Sequence, residues 1–486
     1  MPLSPADVKA LDRNAEALGV PTAELMENAG LAVAFAVKER WPEGTVVVVA
    51  GPGNNGGDGC IAARALHEAG RAVYLLVVGA EEGMKSEVAQ DALDEAEEAG
   101  VKVLLYTDPN LDDLIDEADI VVDALLGVGV HGALRPPFDR VVAHLSDHEA
   151  PIVAVDLPTG HGTDTPLVAT LTVTMHDVKD DMDPEICGEI VVADIGIPEE
   201  AQTHVGPGDL LTRYPRSEDT GHKGDHGRLI IVGGGPYSGA PSLTALGAMM
   251  TGLDLCHLIL PADAASVARH NLLEAIVVTL AGHRFGIEHV DTVVDHMDDA
   301  DALVIGPGLG DAPETVEAVR ETCLIAKQKG IGMVLDADAL RWKDAKELLS
   351  LGAILTPHAG EFKRISGKEL PQEDDETRID IVRTWIGDSD TTILLKGAPD
   401  LIITKDQVSR NVTHHPVMTT GGTGDVLCGV VGALLSRGCS PFDAARLGAY
   451  INGAAGLLAY EDQSYGVRAG DVAGRIPFIL AEDLNA

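Results

Sequence analysis

Short runs of β-branched and apolar residues alternate with alanine-rich stretches of helical spacing along most of the 486 residues. Apolar runs without a polar face predict strands buried on both sides, and strands separated by helices predict a parallel sheet covered by helices. In the first half the predicted strands are 45–50, 72–78, 120–124, 152–156, 171–175 and 190–194. In the second half they are 228–232, 258–260, 302–305, 332–336, 353–356 and 391–396. Between the halves, Tyr214-Pro215-Arg216-Ser217-Glu218-Asp219-Thr220-Gly221-His222 is polar, rich in turn residues and without periodicity, which places a boundary there. The expected organisation is two α/β domains of three layers each, α/β/α, spanning 1–213 and 214–486, and no sequence repeat relates them.

The length supports more than one core, since single hydrophobic cores stop growing near 250–300 residues. Acidic residues number 77 against 35 basic ones, for a net charge of −42. Such a field repels nucleic acid and anionic lipid and is best tolerated where salt screens it, so a salt-loving organism's cytosol is expected. The excess acid is spread along the chain, and runs such as Asp91 to Glu98 read as solvated helix faces. Six scattered cysteines without a C-x-x-C pair indicate neither a zinc site nor a disulfide framework. The segment Met1 to Asp7 lacks a basic start followed by an apolar run, and no stretch reaches the roughly 18 apolar residues of a membrane span, so a cytoplasmic location is expected.

Chemistry concentrates at turns. Thr420-Gly421-Gly422-Thr423-Gly424-Asp425 is a glycine-rich turn opening a helix, where first-turn amides lack helical partners and the dipole favours an anion such as a transferring phosphoryl group. Asp425 there suits a general base that takes the proton of an attacking hydroxyl. In the first half, the strand Val46 to Ala50 feeds Gly51-Pro52-Gly53-Asn54-Asn55-Gly56-Gly57-Asp58-Gly59. Formally this contains the dinucleotide fingerprint G-x-G-x-x-G, with Glu81 or Glu82 as ribose acid. Pro52 removes an amide donor, however, and the side-chain oxygens of two asparagines and Asp58 equally suit a hard monovalent cation. Asp123 and Asp156 end two further strands and bring more oxygens to the same sheet edge, although each alone also fits a turn cap.

These motifs resemble those of the bifunctional nicotinamide-nucleotide repair enzymes, in which an NAD(P)H-hydrate epimerase precedes an ADP-dependent (S)-NAD(P)H-hydrate dehydratase. The first half matches through Leu25-Met26-Glu27-Asn28-Ala29-Gly30, Gly53 to Gly59, Asp123-Ala124-Leu125-Leu126-Gly127, Asp156-Leu157-Pro158-Thr159-Gly160 and Asp194-Ile195-Gly196-Ile197-Pro198. The second matches through Lys223 to Gly227, Gly239-Ala240-Pro241, Gly306 to Gly310, Asp336-Ala337-Asp338-Ala339-Leu340, Thr356 to Phe362, Leu395-Lys396-Gly397 and Gly421 to Asp425. The resemblance implies a Rossmann-like first domain and a ribokinase-like second one.

By position, it implies potassium on Asn55, Asp123 and Thr159, and the hydrated cofactor against Asn54, Asn55, Gly56, Gly57, Asp58, Gly127, Val128, Gly129, Val130, His131, Gly132, Ala133 and Asp156. Asp156 is the expected acid or base of the epimerase. In the second domain it implies the hydrated dinucleotide at Ala240, Gly308, Gly310, His358 and Asp425, and the adenine nucleotide at Lys396, Gly397, Ala398, Pro399, Asp400 and Gly424. ADP with magnesium is the expected phosphoryl donor, and a homo-oligomer is expected. Glu361 fits either a magnesium-bridging carboxylate or a plain surface residue. Thr159 stands where the family has serine, and 161–184 is shorter and richer in aspartate than usual, which is expected to weaken epimerase substrate binding. Lys179 falls where the family has a lysine, but in poorly matching surroundings, and is assigned no catalytic role. Two alternatives stand beside this reading: a ribokinase-like kinase for a vitamin precursor, and a non-catalytic binding role for the first domain.

Overall fold

The computed structural model describes residues 2–80, 83–106, 111–129, 132–180, 182–217, 220–372 and 374–485. They group into two compact units, 1–201 and 202–486. No helix among the described residues is long and apolar enough to cross a membrane.

The first unit is built on seven parallel strands: β1 (Val46–Ala50), β2 (Val73–Val77), β3 (Lys102–Leu105), β4 (Ile120–Ala124), β5 (Ile152–Val155), β6 (Leu171–Met175) and β7 (Glu189–Ala193). Their order is β3-β2-β1-β4-β5-β6-β7, so the chain first builds outward from β1 in one direction and then returns to build from β4 in the other. The apolar run of β1 is divided between two cores. Val46, Val48 and Ala50 pack with residues of the helices Thr22–Arg40 and Asn54–Glu68, while Val47 and Val49 pack with Val141, Val142 and Leu145 of the helix Phe138–Ser146. This is why β1 reads as continuously apolar: strand side chains alternate faces, and both faces are covered.

The second unit carries β8 (Arg228–Val232), β9 (Leu255–Pro261), β10 (Ile276–Leu280), β11 (Ala302–Ile305), β12 (Gly332–Leu335), β13 (Ile354–Leu355), β14 (Thr392–Leu395), β15 (Asp400–Ile403) and β16 (Val408–Asn411). Their order is β10-β9-β8-β11-β12-β13-β14-β15-β16, parallel as far as β14 and antiparallel beyond it. The helix Thr423–Ser436 lies in the core against this sheet, with Val426, Val430, Val431 and Leu434 fully buried.

All twelve expected strands are present within a few residues of their expected bounds, and four more appear. β3 and β10 are edge strands with partly exposed residues, so their apolar signal is weak. β15 and β16 form an antiparallel extension that lacks intervening helices and so escapes a strand–helix reading. The contact division falls at 201/202, ahead of the turn-rich segment at 214–222. The helix Pro207–Arg213 belongs to the second unit because Leu210 enters its core and Asp209 pairs with Arg446 at 3.1 Å. Turn composition is a local signal, whereas membership of a unit is set by packing.

Candidate active sites

In each unit the strand order reverses once, between β1 and β4 and between β8 and β11, and ligands on open α/β sheets bind outside the carboxyl ends of strands at such points. In the first unit, Gly51 to Asp58 leaves β1, Asp123 lies in β4, and Asp156 to Gly160 leaves β5. Asp123 is fully buried, and its oxygens accept the Thr159 hydroxyl and the Thr159 amide, each at 2.7 Å, and the Leu125 amide at 3.3 Å. Burial raises its carboxyl to about 6 despite these bonds. The Asn55 side chain lies beside Gly127, with Oδ1 3.3 Å from where a Cβ would stand, and its Nδ2 is buried without a partner among the described residues. Asn54 Oδ1 instead accepts the Ser86 hydroxyl at 2.7 Å. Gly56 is required by contact, since a Cβ there would meet the Gly51 carbonyl at 1.9 Å.

Asp156 has φ of 65°, uncommon for a residue with a side chain, which turns its carboxylate back toward β6. Its Oδ1 accepts the Met175 amide at 3.2 Å, the Thr174 hydroxyl at 3.3 Å and the Lys179 ammonium at 2.5 Å. Lys179 is 4% exposed and spends its other donors on the Met175 carbonyl at 2.6 Å and the Thr174 hydroxyl at 2.9 Å. Sequence surroundings gave Lys179 no role; the structure puts its ammonium on the candidate acid or base. The same electrostatic field includes Asp58 and Asp12. Burial, then the charges of Asp156 and Asp12, push Asp58 well above the usual carboxylate range. Burial, then Asp156, raise Asp12 to about 6. Asp12 and Asp58 thus lie in the field of Asp156 and Lys179, with the lysine opposing their upward shifts. Of the expected substrate contacts, Val130 and His131 lie outside the described residues, as do Glu81 and Glu82.

In the second unit, Gly308 (φ 73°) packs against the backbone of Tyr237 and the side chain of Ala240, and Gly310 (φ 79°) lies against the side chain of Pro236. The Gly310 amide donates to Asp338 at 2.8 Å, and Arg341 holds the other oxygen of that carboxylate at 3.0 Å. His358 caps the helix Ala359–Ser366: its Nδ1 accepts from the Gly360 and Glu361 amides while Glu361 accepts the His358 amide at 2.9 Å. Glu361 therefore serves as a capping residue here.

The glycine turn has the expected form. Gly422, the cap, sits at φ 97°, a conformation that favours glycine, and the first helical bond runs from Val426 to Gly422 at 3.1 Å. The amides of Gly424 and Asp425 are left without helical acceptors. Burial, then the charge of Asp336, raises Asp425 to about 6, with Lys396 opposing. Lys396 donates to Asp336 at 2.8 Å, stands 3.9 Å from Glu361, and its ammonium lies 3.7 Å from where a Cβ of Gly424 would be. Of the expected nucleotide-binding stretch, Lys396 thus reaches the turn. Asp400 faces inward, accepting the Gly397 amide at 2.9 Å and Asn411 at 3.1 Å, so it shapes the loop of Gly397, Ala398 and Pro399.

The residues given no role by the sequence are Lys179, Asp12, Asp336 and Asp338. Asp336 and Asp338 stood inside a quoted motif, and a strand-ending aspartate was the available signal. Asp12 lies on the helix Pro5–Ala17, far in sequence from the loops it serves, and had no such signal.

Residues 228–477 match the family model described as NAD(P)H-hydrate dehydratase, and residues 22–180 match that of the YjeF-related protein N-terminus. A bifunctional NAD(P)H-hydrate repair enzyme of Pyrobaculum aerophilum is 41% identical over 96% of each chain. A protein of the same name from Methanothermobacter thermautotrophicus is 38% identical over 98% of this chain and 95% of its own. A Streptococcus mutans crystal structure aligns with a TM-score of 0.50 at 20% identity, over 58% of this chain and 99% of its own, a likeness of fold alone. With motifs, geometry and full-length similarity in agreement, the chain belongs to the bifunctional NAD(P)H-hydrate repair enzyme family.

Proposed function

We propose that the first unit epimerises (R)- and (S)-NAD(P)H hydrates and that the second dehydrates the (S)-hydrate to NAD(P)H with ADP as phosphoryl donor. The observation that carries this reading is Asp425 at the mouth of an amide turn with Lys396 beside it. Asp425, ionised above about pH 6, takes the proton of the C6 hydroxyl as its oxygen forms a bond to the β-phosphorus of ADP. The bond from that phosphorus to the bridging oxygen breaks, and AMP leaves. The Gly424 and Asp425 amides and the Lys396 ammonium stabilise charge on the phosphoryl oxygens. The ring nitrogen lone pair then expels phosphate from C6, and loss of a C5 proton restores the ring double bond. Magnesium arriving with the donor supplies charge neutralisation at the phosphates.

In the first unit, Asp156 with Lys179 supports proton transfer during inversion at C6. The oxygens of Asn55, Asp123 and Thr159 fit potassium, whose charge would offset a carboxylate that burial otherwise drives toward protonation. The net charge of −42 supports a protein adapted to a salt-rich cytoplasm, and a homo-oligomer belongs to the same reading.

The test is recovery of reduced-nicotinamide absorbance from racemic NADH hydrate with the pure protein, magnesium, ADP and high potassium chloride, beside a donor-free control. Full recovery is expected. Recovery that stops near half leaves the dehydratase and removes the epimerase; no recovery removes the dehydratase and favours the small-molecule kinase.

A further inference from the structure

The ion pair Asp336–Lys396, its carboxylate buried and its lysine partly exposed, joins two strand ends at the phosphoryl end of the second unit's site. Asp336 follows β12, is 2% exposed, and donates its amide to the Ile305 carbonyl at 3.2 Å. Ala337, at φ 51°, then turns the chain away. Lys396 follows β14 and donates its amide to the Pro357 carbonyl at 2.8 Å. Both backbones are therefore fixed, and the 2.8 Å side-chain contact fixes the ammonium. Asp425 opens the neighbouring helix, where burial and then the Asp336 charge raise its carboxyl while the Lys396 charge lowers it. A lysine side chain is long and rotatable, so without a second anchor it would swing onto Asp425, weaken it as a base and obstruct the incoming hydroxyl.

We infer that Asp336 is a positioning residue for phosphoryl transfer, anchoring Lys396 against the Gly421–Asp425 amide turn and away from Asp425, so that the ammonium meets the transferring phosphoryl group while Asp425 stays available. The inference rests on the dehydratase reading above. The charged groups around Asp425 are Asp336, Lys396 and Asp338; the buried Cys428 thiol, pushed well above its usual range first by burial, remains neutral beside it. Glu361 faces Lys396 from the helix Ala359–Ser366.

The test compares full-length wild type, Asp336→Asn, Lys396→Met and the double variant in ADP-driven dehydration of (S)-NADH hydrate across pH. Asp336→Asn is expected to lose about 100-fold in kcat, the scale of a small misplacement of a catalytic group, with KM for the hydrate nearly unchanged. Its acid limb moves to lower pH, because a negative neighbour of Asp425 is gone. Lys396→Met moves the acid limb to higher pH. The double variant is no slower than Lys396→Met, because an anchor has no function without the group it holds. A double variant that loses the product of the two single effects, or Asp336→Asn with wild-type kcat, overturns the proposal. If Asp336→Asn does not fold, Asp336→Glu, which keeps the charge and displaces it, is expected to lower kcat with an unmoved acid limb; wild-type kcat there overturns it equally. Wild-type protein without ADP-driven turnover removes the dehydratase reading itself, which separates that failure from a failure of the anchor.

Discussion

The two candidate sites occupy equivalent places in their sheets and each sets one lysine among carboxylates, yet the lysines are used differently. Lys179 is closed: its three donors meet Asp156, Thr174 and Met175 within the unit. Lys396 is open: among the described residues its close partner is Asp336, Glu361 stands farther off, and the glycine-turn amides that lack helical acceptors lie beside it. A closed lysine holds a carboxylate in place, as a positioned acid or base requires. An open lysine beside free amides receives an anion, as phosphoryl transfer requires. One sheet topology serves both, because the switch point supplies the location and the loops supply the chemistry.

The sharpest way to break this comparison is to remove each site's own base. Asp425→Asn is expected to cut ADP-driven dehydration about 10³-fold, within the usual range for a general base, while (R)/(S) interconversion in the donor-free control continues. Loss of both activities would dissolve the assignment of one reaction to each unit. Next, Lys179→Met strips a closed pair of its cation; leaving Asp156 buried and unpaired is expected to cost about 3–5 kcal/mol of stability, read by denaturant unfolding. Lys396→Met, in the open site, should lower the dehydratase rate far more than it lowers stability, and equal destabilisation in the two variants would erase the contrast.

A smaller effect concerns pH. Asp123 has a folded value near 6, above its unfolded one, so its contribution favours the folded state at low pH and is lost as pH rises from about 4 through 6. Potassium on the ionised form, as proposed above, would compensate at neutral pH. The thermal stabilisation given by potassium over a large organic cation is therefore expected to fade as pH falls through about 6, and a pH-independent increment would place the cation elsewhere. The smallest effect is expected from Thr159→Ser, which keeps the hydroxyl bonded to Asp123 and loses one buried methyl, about 1 kcal/mol in a melting curve. A loss of epimerase activity with it would show that the methyl shapes the site.

Much of this was legible in the chain. Helix-separated apolar runs predicted twelve strands, because a sheet covered on both faces needs continuous apolar sequence, and the glycine turn with Asp425 announced itself through local backbone demands. The oxygen-rich loop and two strand ends brought out Asn55, Asp123 and Asp156, and Asp123 and Thr159 do meet. Edge strands β3 and β10 and the antiparallel β15–β16 were not legible, since partial exposure and a missing helix remove the pattern. Lys179 was passed over because neighbouring residues in sequence say nothing about a contact made 23 positions away with Asp156.

What the sequence by itself determined is therefore what depends on short-range rules: the α/β class, the two sheets, the amide turn and the carboxylates that end strands. Tertiary structure alone decided the charge pairing, with Lys179 on Asp156, Lys396 on Asp336, Asp12 beside Asp58, and Glu361 and Asp400 turned to capping and loop-shaping. The reason is physical. A local signal requires only neighbouring backbone, whereas the protonation and use of a buried charge are set by whichever distant groups the fold brings within a few ångströms of it.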